Sequence, residues 1–136
     1  MDSSLCRENS FTPVLQVAGI KNNTMSHQKS QSCIAACSDC AVECYHCASA
    51  CLNEQDVKML ARCIKLDHDC GAICLLAVQA MAGGSEFANQ ICKLCAEICT
   101  ACAVECEKHS HHMEHCKKCA EACRKCATEC SNMGKM

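Results

Sequence analysis

Residues 33–51, CIAACSDCAVECYHCASAC, set Cys33, Cys37, Cys40, Cys44, Cys47 and Cys51 four, three, four, three and four positions apart. Alternating steps of 3 and 4 keep side chains on one stripe of an α-helix, the row that faces partner helices. The step recurs in Cys92, Cys95, Cys99, Cys102 and Cys106, and again in Cys116, Cys119, Cys123, Cys126 and Cys130. A chain with three such rows is committed to helices packed row against row. Leucine or isoleucine ordinarily fills these positions; here they are thiols.

Breaks between the rows divide the chain. Residues 1–27 carry no periodicity and read as a disordered N-terminal tail, with Cys6 as an incidental thiol. Four helices are predicted over about 28–52, 54–82, 86–108 and 111–133. Asn53 is expected to cap the second, with Glu54 and Asp56 in its first turn. Gly83-Gly84 ends it, Ser85 caps the third, and the fourth closes near Gly134. Short connections favour an all-α, antiparallel up-down four-helix bundle with a cysteine-lined core, 28–136 forming the domain. The second helix has the sparse row: Asp56, Leu60, Cys63, Asp67, Cys70, Cys74, Ala77 and Met81. Asp67 is the anomaly. Either the register rotates to bury Leu66, or a carboxylate faces the core. Ile64, Ile73, Leu75, Leu76 and Val78 exceed what one inner stripe needs and predict a second buried face, most simply a subunit contact.

The remaining composition excludes more than it assigns. One Pro, no Trp, one Tyr and two Phe argue against a β-rich or loop-rich fold. A formal net charge of −2 with mixed signs gives no nucleic-acid footprint and no polybasic membrane patch. No run approaches the ~18 apolar residues of a membrane span, and the first residues do not read as a secretory signal. A cytoplasmic protein with reduced thiols is expected. No nucleophile–base pair, phosphate loop or open three-ligand site suggests an enzyme.

Nineteen cysteines on helical rows are hard to explain as packing, since leucine would bury more apolar area. Disulfides along one helix are disfavoured: Cβ atoms 3 or 4 residues apart lie ~5–6 Å apart, against about 3.5–4.5 Å in a disulfide. Two such thiols can instead clasp a metal. Soft thiolates select Cu(I), Zn(II) or iron–sulfur clusters. Zinc and iron–sulfur sites use discrete four-ligand sets on knuckles or irregular segments, whereas these rows are unpunctuated. A low-coordinate monovalent ion, Cu(I), fits a continuous row. It also neutralises buried thiolates one for one, which gives on the order of one ion per core cysteine. A zinc or general soft-metal thiolate buffer is the alternative. A thiol redox protein would want exposed low-pKa pairs at helix N-termini, and a purely structural bundle would oligomerise through the second helix.

The two ends of the bundle should differ. Extending the third row past Cys106 reaches His109, and extending the fourth back from Cys116 reaches His112; Met59 begins the second helix at the same end. His111, Met113 and His115 crowd that loop. His109 and His112, with Met59 and Met113 as further ligands, are the predicted entrance for copper. Ala77, Met81, Ala88 and Met133, with Phe87 near, predict a closed apolar plug opposite. His27, His46 and His68 fall off the rows and read as surface residues.

Cysteine rows in CxxxC and CxxC steps on every helix of one bundle, over about residues 30–133, resemble the bacterial copper storage proteins, and the missing export signal resembles their cytosolic branch. The resemblance implies a bundle folded before metal arrives, a core holding many Cu(I) ions through cysteine pairs, a histidine-containing entrance and a homotetramer. The long N-terminal segment and the sparse second row depart from that pattern.

Overall fold

The structure, a computed structural model, describes residues 18–135, with side chains at 28 and 30–135. Four α-helices account for the described chain: α1 (Ala18–Cys51), α2 (Ala61–Ala82), α3 (Ala88–Glu107) and α4 (Glu114–Gly134), with a 3-10 turn at Val57–Leu60 before α2. Each helix packs against two neighbours, α1 with α2 and α4, and α3 with α2 and α4. This is the square, up-down arrangement that short connections impose. No strand occurs among the described residues.

The helix bounds differ from those predicted in ways the local chemistry explains. α1 already begins at Ala18, inside the segment read as a tail; residues 1–17, Cys6 among them, lie outside the described residues. Asn53 does not cap α2. It belongs to the turn that ends α1, where the amides of Leu52, Asn53 and Glu54 donate to the carbonyls of Ala48, Ala50 and Cys51. A 3-10 turn intervenes before α2 proper. α2 ends as Gly83-Gly84 requires: Gly84 takes φ +67°, and Ser85 N–H and Gly84 N–H reach back to Ala80 O and Met81 O at 2.9 and 3.3 Å. These two bonds form a Schellman motif, whose left-handed position glycine occupies without strain. Ser85 does not cap α3, whose N-cap position is Phe87; its Oγ accepts the Phe87 amide at 3.0 Å in the turn just before that helix.

Cysteine is shorter than leucine, so a thiol core fills only if the helices approach closely. The residues beside the rows are accordingly small: Ala36, Ala41, Ala48, Ala96, Ala103 and Ala120 are all buried. At Gly71 of α2 the Tyr45 ring of α1 covers the bare backbone, since an added Cβ would stand 2.6 Å from its Cζ. On the surface Arg124 makes a paired contact with Glu107, both at 2.9 Å, joining α4 to α3. Such an exposed pair is worth only about 0–1 kcal/mol; the buried core holds the bundle.

Candidate metal centre

All nineteen cysteines of the rows are buried free thiols. The predicted register of α2 holds along its length: Leu60, Cys63, Asp67, Cys70, Cys74 and Ala77 have no exposed surface and Met81 is buried, while Asp56 lies outside. Because four rows face one axis, the sulfurs meet across helices as well as along them. Cys70 and Cys99 are 3.4 Å apart, Cys37 and Cys130 3.4 Å, and Cys74 and Cys126 3.7 Å. Along α1, Cys40 and Cys44 are 3.9 Å apart, and along α4 Cys126 and Cys130 3.8 Å. The result is a column running from Cys33, Cys92 and Cys130 at one end to Cys47, Cys51 and Cys116 at the other.

The column contains overlapping four-ligand sets whose donor atoms lie within 4.8 Å of one another. One is Cys37, Cys74, Cys95 and Cys126; a second is Cys40, Cys70, Cys74 and Cys99; a third is Cys40, Cys44, Cys70 and Cys123; a fourth is Cys44, Cys102, Cys119 and Cys123. Cys40, Cys44, Cys70, Cys74 and Cys123 each belong to two of these. Neighbouring sets therefore cannot all be filled unless sulfurs are shared, which favours bridging thiolates over isolated tetrahedral sites.

Protons are shared along the column too. Cys130 lies against Cys33, Cys37 and Cys126. Hydrogen bonding first to Cys126, then to Cys33 and Cys37, pushes its pKa up, with burial adding to the rise. The same donor pulls Cys126 down to about 6 and is the main cause of the lowered pKa of Cys33. A thiolate ringed by S–H groups is stabilised while the donors stay protonated, so the column titrates as a unit.

Asp67 interrupts the sulfur. It is fully buried, and its Oδ1 accepts the thiols of Cys102 at 3.1 Å, Cys119 at 3.3 Å and Cys106 at 3.7 Å. Oδ2 accepts Cys63 at 3.8 Å. A carboxylate does face the core, and Leu66 is only half-buried. Desolvation, with repulsion from Cys119, Cys102 and Cys63 when those sulfurs are ionised adding to it, raises the Asp67 pKa to about 11. Desolvation thus favours the neutral acid, against the S–H bonds it accepts, beside the layer of Cys47, Cys51 and Cys116.

At the end of the column that carries Cys47, Cys51 and Cys116 a histidine does reach the sulfurs, and it is His115. Its Nδ1 lies 3.5 Å from Cys47 Sγ, 3.6 Å from Cys116 and 3.9 Å from Cys51, completing a further four-ligand set with those three cysteines. Its Nε2 pairs with Glu54 Oε2 at 2.9 Å. His109 instead faces Glu105 at 3.4 Å, a buried carboxylate shared with Arg62 and Lys108. His112 is exposed, as is His111, whose ring it meets edge-on. Met113 is half-buried with Sδ 4.0 Å from Cys116 Sγ, whereas Met59 is exposed. The other end is apolar, with Ala77 and Met81 buried and Met133 packed on the core, but Phe87 points into solvent. His46 and His68 lie on the surface; the side chain of His27 lies outside the described residues.

Comparison with known proteins places this arrangement. The chain is 51% identical over 84 residues to the uncharacterised cysteine-rich protein YhjQ of Bacillus subtilis (strain 168), a match spanning 62% of this chain and 78% of that protein. The Cu(I)-bound copper storage protein BsCsp3 from Bacillus subtilis superposes with a TM-score of 0.74 at 48% identity, covering 78% of this chain and 98% of that one. A cytosolic copper storage protein from Streptomyces lividans, solved during copper loading with five coppers, gives a TM-score of 0.79 at 33% identity, covering 83% and 98%. The family model described as copper storage protein matches residues 26–135. With its four facing thiol rows and this match over most of its length, the chain belongs to the copper storage protein family.

Proposed function

We propose that the protein stores and sequesters many Cu(I) ions in the cytosol, for detoxification and for supply to copper-requiring proteins. The observation that carries this reading is the continuity of the column: buried sulfurs are shared between neighbouring four-ligand sets from that of Cys37, Cys74, Cys95 and Cys126 to that of Cys44, Cys102, Cys119 and Cys123, and Sγ–Sγ contacts join Cys33 to Cys130 and Cys47 to Cys116 at the two ends. The ligands are Cys33, Cys37, Cys40, Cys44, Cys47, Cys51, Cys63, Cys70, Cys74, Cys92, Cys95, Cys99, Cys102, Cys106, Cys116, Cys119, Cys123, Cys126 and Cys130. Monovalent copper neutralises one thiolate per ion and tolerates sulfurs that bridge two ions, so the core loads without accumulating net charge. Related proteins from Bacillus subtilis and Streptomyces lividans are described as Cu(I)-bound and as cytosolic copper storage proteins. Storage is a binding function, and we assign the chain no catalytic role.

Copper enters at the histidine end. His115 with Cys47, Cys51 and Cys116 forms the first site, and Met113, His109 and His112 of the same loop pass the ion inward. We further infer a homo-oligomer, a tetramer by family resemblance, supported by Leu75 and Leu76 standing exposed on α2.

Anaerobic titration of the reduced apoprotein with Cu(I), against a competing chelator, tests the function. Saturation at on the order of one ion per core cysteine is expected, with release of thiol protons as the column fills. A chain that saturates at a few equivalents is not a store. Tighter retention of about half as many zinc ions would instead favour a zinc buffer.

A further inference from the structure

We propose that Glu54 is the positioning residue of the mouth site, fixing the His115 ring in the one neutral tautomer that turns a lone pair toward Cys47, Cys51 and Cys116. An ionised carboxylate can only accept a hydrogen bond. With Glu54 Oε2 2.9 Å from Nε2, the ring hydrogen belongs on Nε2. A neutral imidazole carries one N–H, which leaves Nδ1 as an acceptor facing three sulfurs at 3.5–3.9 Å. In the opposite tautomer an N–H would point at those sulfurs and occupy the position an incoming soft cation needs. A histidine ligand whose second nitrogen donates to a carboxylate is the common way proteins fix both tautomer and ring direction.

The chain builds this pairing locally. Glu54 N–H donates to Cys51 O at 3.1 Å in the turn that ends α1, so the end of α1 carries Cys47, Cys51 and the carboxylate that aims the ring. His115 stands in the first turn of α4 with its side chain only 13% exposed, leaving the ring little freedom to turn away. His109 shows what is special about the pair. It too has a carboxylate, Glu105, but that group is divided among Arg62, Lys108 and His109, and no hydrogen bond between His109 and a thiol occurs among the described residues. The consequence for copper uptake rests on the storage reading; the tautomer does not.

The test has two arms. In the metal-free protein, nitrogen NMR of the His115 ring, at a pH where it is neutral, should show the hydrogen on Nε2. In Glu54→Gln, whose amide can donate or accept, both tautomers should appear. Stopped-flow transfer of Cu(I) from a chelator should then be about tenfold slower in Glu54→Gln, with the deeper thiols still filling. A wild-type ring protonated on Nδ1 would overturn the proposal. So would a Glu54→Gln protein with mixed tautomers and an unchanged uptake rate. Saturation of the wild-type chain at a few coppers would count against storage alone, because the ring spectrum decides the role of Glu54 without metal.

Discussion

Asp67 has a titration that runs against the stability of the metal-free fold. Its pKa rises from 3.8 to about 11 on folding, chiefly through desolvation, so between those values the native state holds a proton that the unfolded chain has released. The stabilising protonated form is fully present below pH ~4 in both states, and stability is lost progressively as pH climbs toward ~11. Asp67→Asn, a neutral isostere, should therefore stabilise the apoprotein by about 1–3 kcal/mol at pH 8 and flatten its pH dependence, as read by denaturant unfolding. A less stable Asn variant with an unaltered pH slope would show that the carboxylate is ionised and paired. At the mouth, His115→Ala should slow Cu(I) uptake more than His109→Ala combined with His112→Ala, with capacity nearly unchanged; the reverse order would return the entrance to the loop. The sequence set Asp67 on the inner row but left open a rotation that would bury Leu66 instead; the structure resolves this in favour of the carboxylate. The sequence could not show that thiols from two other helices satisfy the carboxylate. His115 escaped the same logic. Row extension assumes that the helix continues, yet α3 ends at Glu107 and α4 begins only at Glu114, after Met113 in an extended conformation. Three or four steps past a helix end no longer mean the same face, and the residue next to Cys116 is free to turn inward.

Between elements, Gly71 of α2 lies under the Tyr45 ring of α1. At Gly71 a methyl group would stand 2.6 Å from Cζ of Tyr45 and 2.9 Å from both Cε atoms. Alanine improves helix propensity by about 1 kcal/mol, but overpacking costs about 1–3 kcal/mol. Gly71→Ala should thus lose stability in the wild-type background and gain it when Tyr45 is also replaced by Ala. A double-mutant cycle reads the coupling directly; additive effects would mean that the ring moves aside freely. The three complete rows and the Gly83-Gly84 stop were legible because periodicity and glycine geometry are local. The start of α2 was not. Asn53 and Glu54 resemble a helix start, but the chain uses them to finish α1 and to place Glu54 beside His115, a tertiary requirement that overrides cap preference.

At the scale of the whole molecule, the core is a column of small polarisable groups surrounded by alanine. It needs no metal to exclude water, so circular dichroism of the reduced, metal-free chain should already show the full helix content, and copper should raise thermal stability without adding helix. An apoprotein lacking helix would mean that metal organises the fold. The second face anticipated on α2 is divided: Ile73 is buried within the chain, while Leu75 and Leu76 are exposed. Periodicity identified an excess of apolar residues, but which of them a single chain covers depends on how α3 crosses. In the proposed store the sulfurs act as one shared array. Anomalous diffraction at the copper edge from crystals of the fully loaded protein tests it most directly. Copper peaks are expected along the whole column, from the layer of Cys33, Cys92 and Cys130 to that of Cys47, Cys51 and Cys116, with most sulfurs bound to two ions. Peaks confined to a few isolated four-sulfur sites, with unliganded thiols between them, would contradict it.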